Sequence, residues 1–353
     1  MVLPSGFARG SAAFAGHHIL SRMSLDAIGL DIGGANIKVA TATGRAHARP
    51  FELWRHPDQL VNELAELRHL FAEIETVAIT MTGELCDCYP TKRDGVPHIL
   101  AAVERAFGPA VQVWSTGGFV TLGEATEAAL AVAAANWHAL ATFVGRFVPT
   151  GPALLIDTGS TTTDIIPLWD GRPAAFGMTD PERLKSRELV YTGVRRTPVC
   201  AVMGDSVAAE WFATTHDVYV RLGVLPEDPE WCATADGRPM TMANAHARLA
   251  RMLGGDSEVT SEAETFHLAA DVFNRQRGTI ASAVARVVKK SINSPGVVVL
   301  SGSGEFLARA GWEVWEGAPD ACRAISLSEC LGPARSEAAC AYAVAVLAAE
   351  AKQ

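Results

Sequence analysis

The sequence contains no long, uninterrupted apolar run. Its nearest candidate, the alanine-rich stretch 128–148, is broken by Asn136, His138 and Arg146. A membrane-spanning helix needs about 20 consecutive apolar residues, so this stretch predicts a buried helix and no membrane association. The first 22 residues also lack the apolar block of about 7–15 residues that a secretory signal carries. We therefore expect a disordered leader at 1–24, with Met23 as an alternative start.

The sequence also lacks a basic surplus and a disulfide pattern. Its 30 Lys and Arg residues stand against 39 Asp and Glu, for a net charge of −9. Binding to nucleic acid requires a basic surface, so no nucleic-acid partner is expected. The seven cysteines are odd in number and follow no export signal, which predicts a reducing, cytoplasmic location. With 353 residues, 49% of them hydrophobic, the chain can form two domains.

One pattern occurs twice along the chain. Residues 27–42 read AIGLDIGGANIKVATA, and residues 153–168 read ALLIDTGSTTTDIIPL. Each segment is an apolar strand that ends near an Asp, a glycine-containing bend and a second strand, so each predicts a β-hairpin. The chain is therefore predicted to be internally duplicated.

Strands and helices alternate along the rest of the sequence, which indicates layered α/β structure. Further strands are predicted at 77–81, 111–114 and 297–300. Helices are predicted at 58–74 (capped by Asp58), 98–107, 122–147, 206–222, 243–253, 262–290 and 336–349.

The first hairpin loop, residues 31–38, has the composition of a phosphate-binding loop. Glycines allow backbone N–H groups to converge on an anion, so we expect Gly33, Gly34 and Asn36 to bind phosphate oxygens. Lys38 adds a positive charge. Asp31 would repel a phosphate, and its expected role is to hold Mg²⁺.

The second loop, residues 157–164, repeats this arrangement with hydroxyl groups. Its predicted phosphate-binding residues are Thr158, Gly159, Ser160, Thr161 and Thr162. Asp157 would be a second Mg²⁺ ligand. A third loop, made of Ser301, Gly302, Ser303 and Gly304, lies between a strand and a helix, where backbone N–H groups and the helix dipole favour a bound nucleoside or its substitute. A single such loop is explained equally well as an ordinary turn; three in order favour a phosphate site.

The three loops resemble the two phosphate loops and the adenosine loop of the actin, hexokinase and Hsp70 superfamily. The resemblance covers nearly all of the chain after Met23. It implies two ribonuclease-H-like (actin-like ATPase) domains that face a central cleft, here at 25–150 and 151–353, with a helical insertion at about 200–260. It also implies ATP or ADP as an alternative occupant of the cleft.

Two further segments narrow the resemblance. Residues 80–96, TMTGELCDCYPTKRDGV, and 188–198, ELVYTGVRRTP, resemble the hydantoinase/oxoprolinase branch. They resemble still more closely the tetrahydromethanopterin-linked C1-transfer pathway proteins of methylotrophs and methanogens. This family implies a transferase of methanofuran or methylofuran biosynthesis. Such an enzyme joins an aminomethylfuran-methyl diphosphate to the phenol of a tyramine or tyrosine derivative and releases diphosphate.

The residues suggest roles in that reaction as a hypothesis. Asp31 and Asp157 would hold Mg²⁺, Lys38 and the loop backbones would bind diphosphate, and Glu84 or Asp164 would deprotonate the phenol. Substrate contacts are predicted for Asp87, Lys92, Tyr191, Arg195 and Arg196, for which solvated loops or core packing are the ordinary alternatives.

Other functions and sites stay open at this point. An ATP-dependent small-molecule kinase, a ring-opening enzyme of the hydantoinase/oxoprolinase type and a nucleotide-binding switch are alternatives. A metal corner at Cys86, Asp87, Cys88 and His98 is disfavoured because no second cysteine pair has zinc-ligand spacing. The oligomeric state is open, with a homodimer as one expectation.

Overall fold

The computed structural model describes residues 26–71 and 73–352. It contains two mixed β-sheets with helices packed against them. The leader predicted at 1–24 and the alternative start at Met23 lie outside the described residues. Within the described ranges, no helix has both the length and the apolar character needed to cross a membrane.

The first sheet has six strands in the order β3-β2-β1-β4-β5-β6. The central strand β1 pairs antiparallel with β2 and parallel with β4. The strands are β1 (Ala27–Ile32), β2 (Asn36–Thr41), β3 (Ala46–Pro50), β4 (Thr76–Met81), β5 (Gln112–Ser115) and β6 (Gly118–Thr121).

The second sheet repeats this plan. Its main path is β10-β8-β7-β11-β12, with β9 paired to β8, and β7 pairs antiparallel with β8 and parallel with β11. The strands are β7 (Pro152–Thr158), β8 (Thr163–Trp169), β9 (Arg172–Pro173), β10 (Leu189–Val190), β11 (Val297–Ser301) and β12 (Arg323–Ser326). The shared hairpin and parallel strands confirm the predicted α/β fold with two ribonuclease-H-like halves.

The helices fill the spaces around and between the sheets. In the first half they are Leu60–Leu70, Lys92–Phe107, Leu122–Glu127, Ala129–Val132 and Asn136–Val144. In the second half they are Asp180–Ser186, Val199–Met203, Thr215–Arg221, Met242–Met252, Glu262–Ser291, Glu305–Glu313, Leu327–Leu331, Pro333–Glu337 and Ala339–Ala351.

Two helical predictions were wrong in extent. The long helices expected at 122–147 are three short ones. The last two are separated where Ala133 forms a bridge with Met81 at the end of β4 and Ala134 has a φ of 50°. The helix expected at 206–222 begins only at Thr215, where Thr214 caps it. Asp58 lies in a 3₁₀ turn and does not cap the following helix.

The C-terminal helix Ala339–Ala351 packs against the first sheet, although the strands that precede it belong to the second. Eleven of its 13 residues are buried, and one apolar cluster joins it to Trp137, Leu155 and Val299. The domain division at 150/151 stays a prediction, and any such division must account for this helix.

Contact between this helix and the sheet depends on Gly29 in β1. A Cβ atom at Gly29 would overlap the Ala341 carbonyl oxygen and lie 2.6 Å from the Ala345 nitrogen. Backbone atoms cannot rotate away, so Gly29→Ala is expected to lower the free energy of unfolding by about 1–3 kcal/mol, as overpacked cores do. Urea denaturation measures this effect.

The matched control is Gly278→Ala. Gly278 is exposed inside the long helix Glu262–Ser291, and an added Cβ there meets nothing within 4 Å. This substitution should raise the free energy of unfolding by about 0.5–1 kcal/mol, because alanine favours helix more than glycine does. Equal effects of the two substitutions would contradict the packing argument.

Candidate active site

A cavity of about 600 Å³ lies between the two sheets, where β1 and β7 end. We call it the inner cavity. Most of the predicted site residues line it: Asp31, Gly33, Gly34, Asn36, Lys38, Glu84, Asp87, Asp157, Gly159, Ser160, Thr161, Thr162, Asp164, Tyr191 and Arg196. Two segments far apart in sequence thus contribute to one enclosure.

The two glycine loops have the same backbone closure. In the first, the Gly33 N–H donates to the Asn36 carbonyl at 3.0 Å; in the second, the Gly159 N–H donates to the Thr162 carbonyl at 2.8 Å. The hairpin register also matches, because Asp31 lies opposite Lys38 and Asp157 lies opposite Asp164. Lys38 therefore occupies in the first hairpin the position that Asp164 occupies in the second.

Asp31 is buried and Asp157 half-buried, and both carboxylates have a buried oxygen with unused hydrogen-bonding capacity. In each residue Oδ1 has no hydrogen-bond partner among the described residues. Burial raises the pKa of each side chain to about 6, an effect that the nearby Lys38 charge partly offsets. Buried oxygens without partners fit a hard cation such as Mg²⁺, which is commonly bound by one or two carboxylates together with substrate phosphates.

Asp164 differs from these two residues because it has a cationic partner. Arg183 Nη2 donates to Asp164 Oδ1 at 2.8 Å, and the Arg183 guanidinium also lies 4.1 Å from the centre of the Trp137 ring. Burial raises the pKa of Asp164, and Arg183 opposes this shift. Sequence reasoning missed Arg183, whose helix Asp180–Ser186 carries no site motif.

Glu84 is buried in the 3₁₀ turn after β4 and faces the inner cavity. Its Oε1 lies 3.3 Å from Lys92 Nζ, and beyond this ion pair neither carboxylate oxygen has a hydrogen-bond partner among the described residues. Burial raises the pKa of Glu84 to about 7, against the lowering effect of Lys92. Such a carboxylate can accept a proton near neutral pH.

Lys92 does not line the inner cavity, but it links the two halves of the molecule. Its Nζ donates to Asp180 Oδ2 at 2.7 Å, so one ammonium group contacts Glu84 in the first half and Asp180 in the second. This places the carboxylates on both sides of the cleft within reach of a single positive charge.

The third predicted loop packs against the end of β7. Gly302 has a φ of 92°, and a Cβ there would lie 2.8 Å from Asp157 Oδ1; the Gly304 N–H donates to the Thr158 carbonyl at 2.8 Å. Thr158 is itself buried and accepts a hydrogen bond from Thr163. Gly302, Gly304 and Thr158 therefore support the loop that carries Asp157. Their role in nucleotide binding stays a prediction.

A second cavity, of about 1000 Å³, adjoins the first. We call it the outer cavity. It shares Ala35, Asn36, Lys38, Trp54, Ser160 and Arg196 with the inner cavity. The predicted residues Arg195 and Ser303 line this cavity and not the inner one. Its aromatic lining, which sequence reasoning missed, comprises Phe51, Trp54, Trp211, His216 and Trp231.

The cysteine corner near Glu84 has no feature of a metal site. His98 Nδ1 is 2.6 Å from the Tyr89 hydroxyl, and Cys88 Sγ donates weakly to the Leu53 carbonyl. Among the described residues, no group of three or more His, Cys, Asp or Glu side chains could hold a metal. A cation at Asp31 and Asp157 would need ligands from its substrate as well.

The fold and the cleft define a class: a duplicated, actin-like α/β protein with two Asp-bearing glycine loops at a shared cavity. The hydantoinase/oxoprolinase family profile matches residues 75–351, and the chain belongs to this family. This match confirms the resemblance predicted from residues 80–96 and 188–198.

Two curated relatives narrow the family. The chain is 35% identical over 338 residues to (4-{4-[2-(gamma-L-glutamylamino)ethyl]phenoxymethyl}furan-2-yl)methanamine synthase of Methanocaldococcus jannaschii, covering 92% of this chain and 98% of that protein. The Methanococcus vannielii synthase of the same name is 33% identical over 166 residues, covering 44% of this chain and 72% of that protein. The chain therefore belongs to the same family as these synthases.

Solved structures are more distant. A chain of the PilM-PilN type IV pilus biogenesis complex is similar with a TM-score of 0.49 and 13% identity, over 92% of this chain and 98% of that chain. The activator of the 2-hydroxyisocaproyl-CoA dehydratase from Clostridium difficile is similar with a TM-score of 0.44 and 13% identity, over 93% and 95%.

Proposed function

We propose that this protein is an ether-forming transferase of methanofuran or methylofuran biosynthesis. It joins an aminomethylfuran-methyl diphosphate to the phenol oxygen of a tyramine or tyrosine derivative and releases diphosphate. The proposal rests on the position of Glu84, whose buried carboxylate faces the same cavity as both phosphate loops. Burial raises the pKa of this carboxylate to about 7. The similarity to the archaeal synthases supplies the substrate class.

The diphosphate is bound by the two glycine loops and Lys38. Backbone N–H groups of the segments Gly33–Gly34 and Gly159–Thr161 hydrogen-bond its oxygens, except for the Gly33 and Gly159 N–H groups, which close their own loops. Lys38 adds a positive charge. Asp31 and Asp157 would hold Mg²⁺, which when bound neutralises charge on the leaving group. This binding favours departure of the diphosphate, because negative charge develops on its bridging oxygen as the C–O bond breaks.

Glu84 acts as the general base. The phenol O–H donates its proton to the Glu84 carboxylate, the phenol oxygen bonds to the furanylmethyl carbon, and the bond from that carbon to diphosphate breaks. A free phenol has a pKa of about 10, so a base with a pKa near 7 does not remove its proton fully in advance. The O–H group becomes more acidic as the phenol oxygen bonds to carbon, and the proton moves to Glu84 at that stage. Asp164 is the weaker candidate, because Arg183 already occupies its Oδ1.

The test uses the purified full-length chain with Mg²⁺, the furanylmethyl diphosphate and γ-glutamyltyramine or tyramine. Diphosphate release that requires the phenol, with the ether product identified by mass spectrometry, is expected. A parallel reaction contains ATP and the phenol but no diphosphate donor. Phenol-stimulated ADP formation without diphosphate release would overturn the proposal in favour of an ATP-dependent enzyme.

A further inference from the structure

We propose that the outer cavity binds the tail of the phenolic acceptor and selects acceptors whose tail carries a carboxylate. This inference rests on the proposed function and adds the subsite that determines acceptor choice. The two cavities meet at Lys38, Trp54 and Arg196, which line both. A phenol at this junction can direct its hydroxyl to the inner cavity and its tail to the outer one.

Two arginines of the outer cavity, Arg195 and Arg196, can bind a carboxylate. Neither Arg195 nor Arg196 has a side-chain hydrogen bond or ion pair with a described residue. Both are lining residues, and Arg195 is only partly exposed. The wall also carries four acidic residues, Glu52, Asp228, Glu230 and Glu337. Of these, Glu52 pairs with Arg55, and Asp228 accepts the N–H groups of Glu230 and Trp231. A guanidinium without a partner in a cavity fits a carboxylate, which it can bind with two parallel hydrogen bonds.

The backbone holds these arginines beside the second phosphate loop. The Arg195 and Arg196 N–H groups both donate to the Ser160 carbonyl, at 3.0 and 2.9 Å. Gly193 permits this contact, because a Cβ there would lie 2.6 Å from the Thr161 nitrogen. Gln276 Nε2 stabilises the same segment by donating hydrogen bonds to the Thr192 hydroxyl and the Gly193 carbonyl. The backbone of both arginines is thus fixed relative to the loop that would hold the diphosphate.

Aromatic side chains form much of the remaining wall. Trp211 is 55% exposed, and Trp231 packs edge-on to His216 with ring centres 6.1 Å apart. Burial lowers the pKa of His216 to about 4, so this imidazole is neutral at pH 7. Indole rings and unpaired guanidinium groups that line one cavity suit a ligand that combines an apolar stem with a carboxylate.

The size of the substrates also favours the acceptor over the donor. The donor is a furan with two one-carbon arms, and its diphosphate end belongs at the phosphate loops. The name of the archaeal relative describes a phenol that carries an ethylamine joined to γ-glutamate, which is a longer molecule with a terminal carboxylate. A second cavity of about 1000 Å³ accommodates that length.

The experiment compares two acceptors, γ-glutamyltyramine and tyramine, in the diphosphate-release assay. The wild-type chain should have the higher kcat/KM for γ-glutamyltyramine. In Arg195→Met the ratio of kcat/KM between the two acceptors should fall about ten- to hundredfold, as expected for loss of a charged hydrogen bond, mainly through KM. Arg195→Lys should restore part of the ratio. Arg172→Met, which alters an exposed arginine that lines neither cavity, should leave the ratio unchanged.

A binding titration separates failure of this inference from failure of the proposed function. Tryptophan fluorescence is followed as γ-glutamyltyramine, or separately ADP, is added. If turnover is absent but γ-glutamyltyramine binds and Arg195→Met weakens that binding, the proposed subsite is supported and the proposed reaction is contradicted. If turnover occurs with an unchanged acceptor ratio in Arg195→Met, the subsite is overturned. If γ-glutamyltyramine does not bind, or if Arg195→Met weakens only ADP binding, the subsite is likewise overturned, and the second result assigns the cavity to a nucleotide.

Discussion

Replacement of Glu84 by glutamine is expected to lower kcat for diphosphate release about 10²–10⁴-fold, the range that a positioned general base contributes. Glutamine keeps the shape of the side chain but cannot accept the phenol proton. The protein should stay folded, because the Glu84 side chain makes no hydrogen bond with a described residue beyond its ion pair with Lys92. Steady-state kinetics with the furanylmethyl diphosphate and γ-glutamyltyramine measure the change.

The pH profile distinguishes a base from a structural residue. Glu84 is active as the carboxylate, and burial holds its pKa at about 7, with Lys92 and Asp180 as its charged neighbours. The wild-type kcat/KM should therefore rise with pH up to about 7 and then level off, and Glu84→Gln should lack this limb. Glu104→Gln, on the exposed face of the helix Lys92–Phe107, is the control and should keep it. A Glu84→Gln enzyme with the full acidic limb would point to another base.

The parts of the site that sequence reasoning found are local. Asp31, Gly33 and Gly34 lie within a few residues of one another, and a strand-turn-strand pattern determines how they fold. The second loop repeats the pattern, so the predicted pairing of two loops at one cleft required only the assumption of a duplicated fold. The agreement between the hairpin registers follows from the same duplication.

The parts that sequence reasoning missed depend on distant segments. Arg183 meets Asp164 from a helix that begins after β9, and Trp211 and Trp231 reach the outer cavity from irregular stretches without periodicity. An isolated tryptophan in a loop predicts nothing about its neighbours. Only the folded chain brings these side chains next to Trp54, which lies more than 150 residues earlier in the sequence.

The hydrophobic pattern of the sequence also did not predict the short edge strands or the exact ends of the helices. Strands β9 and β10 have two residues each, and β3 (AHARP) has no fully buried residue and no large apolar side chain apart from Pro50. None of the three therefore has the apolar alternation that marks a strand. The helix Ala339–Ala351 is apolar on all sides, which predicts burial but not the sheet against which it packs. That partner became evident only from the contact at Gly29.

Replacement of Asp31 by asparagine is expected to lower kcat by at least about 10²–10³-fold, comparable to the loss of a group that stabilises developing negative charge. The amide is a weaker Mg²⁺ ligand than a carboxylate, so the leaving diphosphate would lose its neutralising cation. The measurement is diphosphate release over a range of Mg²⁺ concentrations. A variant whose activity and Mg²⁺ dependence match those of the wild-type chain would remove Asp31 from the site.

The same substitution should stabilise the metal-free protein, which separates a functional residue from a structural one. Burial raises the pKa of Asp31 from 3.8 to about 6, so the folded state binds this proton more tightly than the unfolded state. The stability contributed by the proton is present below pH 3.8 and is lost as the pH rises through about 6. Above that pH the buried charge costs up to roughly 3 kcal/mol, and Asp31→Asn removes this cost.

Thermal unfolding at pH 8 tests both consequences together. Without metal, the Tm of Asp31→Asn should exceed that of the wild-type chain. With Mg²⁺ and diphosphate, the Tm of the wild-type chain should rise more than that of the variant, because a ligand stabilises the state that binds it. A variant that loses stability without metal would mean that Asp31 supports the fold instead of the leaving group. Active sites commonly contain such residues, which bind a charged ligand and destabilise the ligand-free protein.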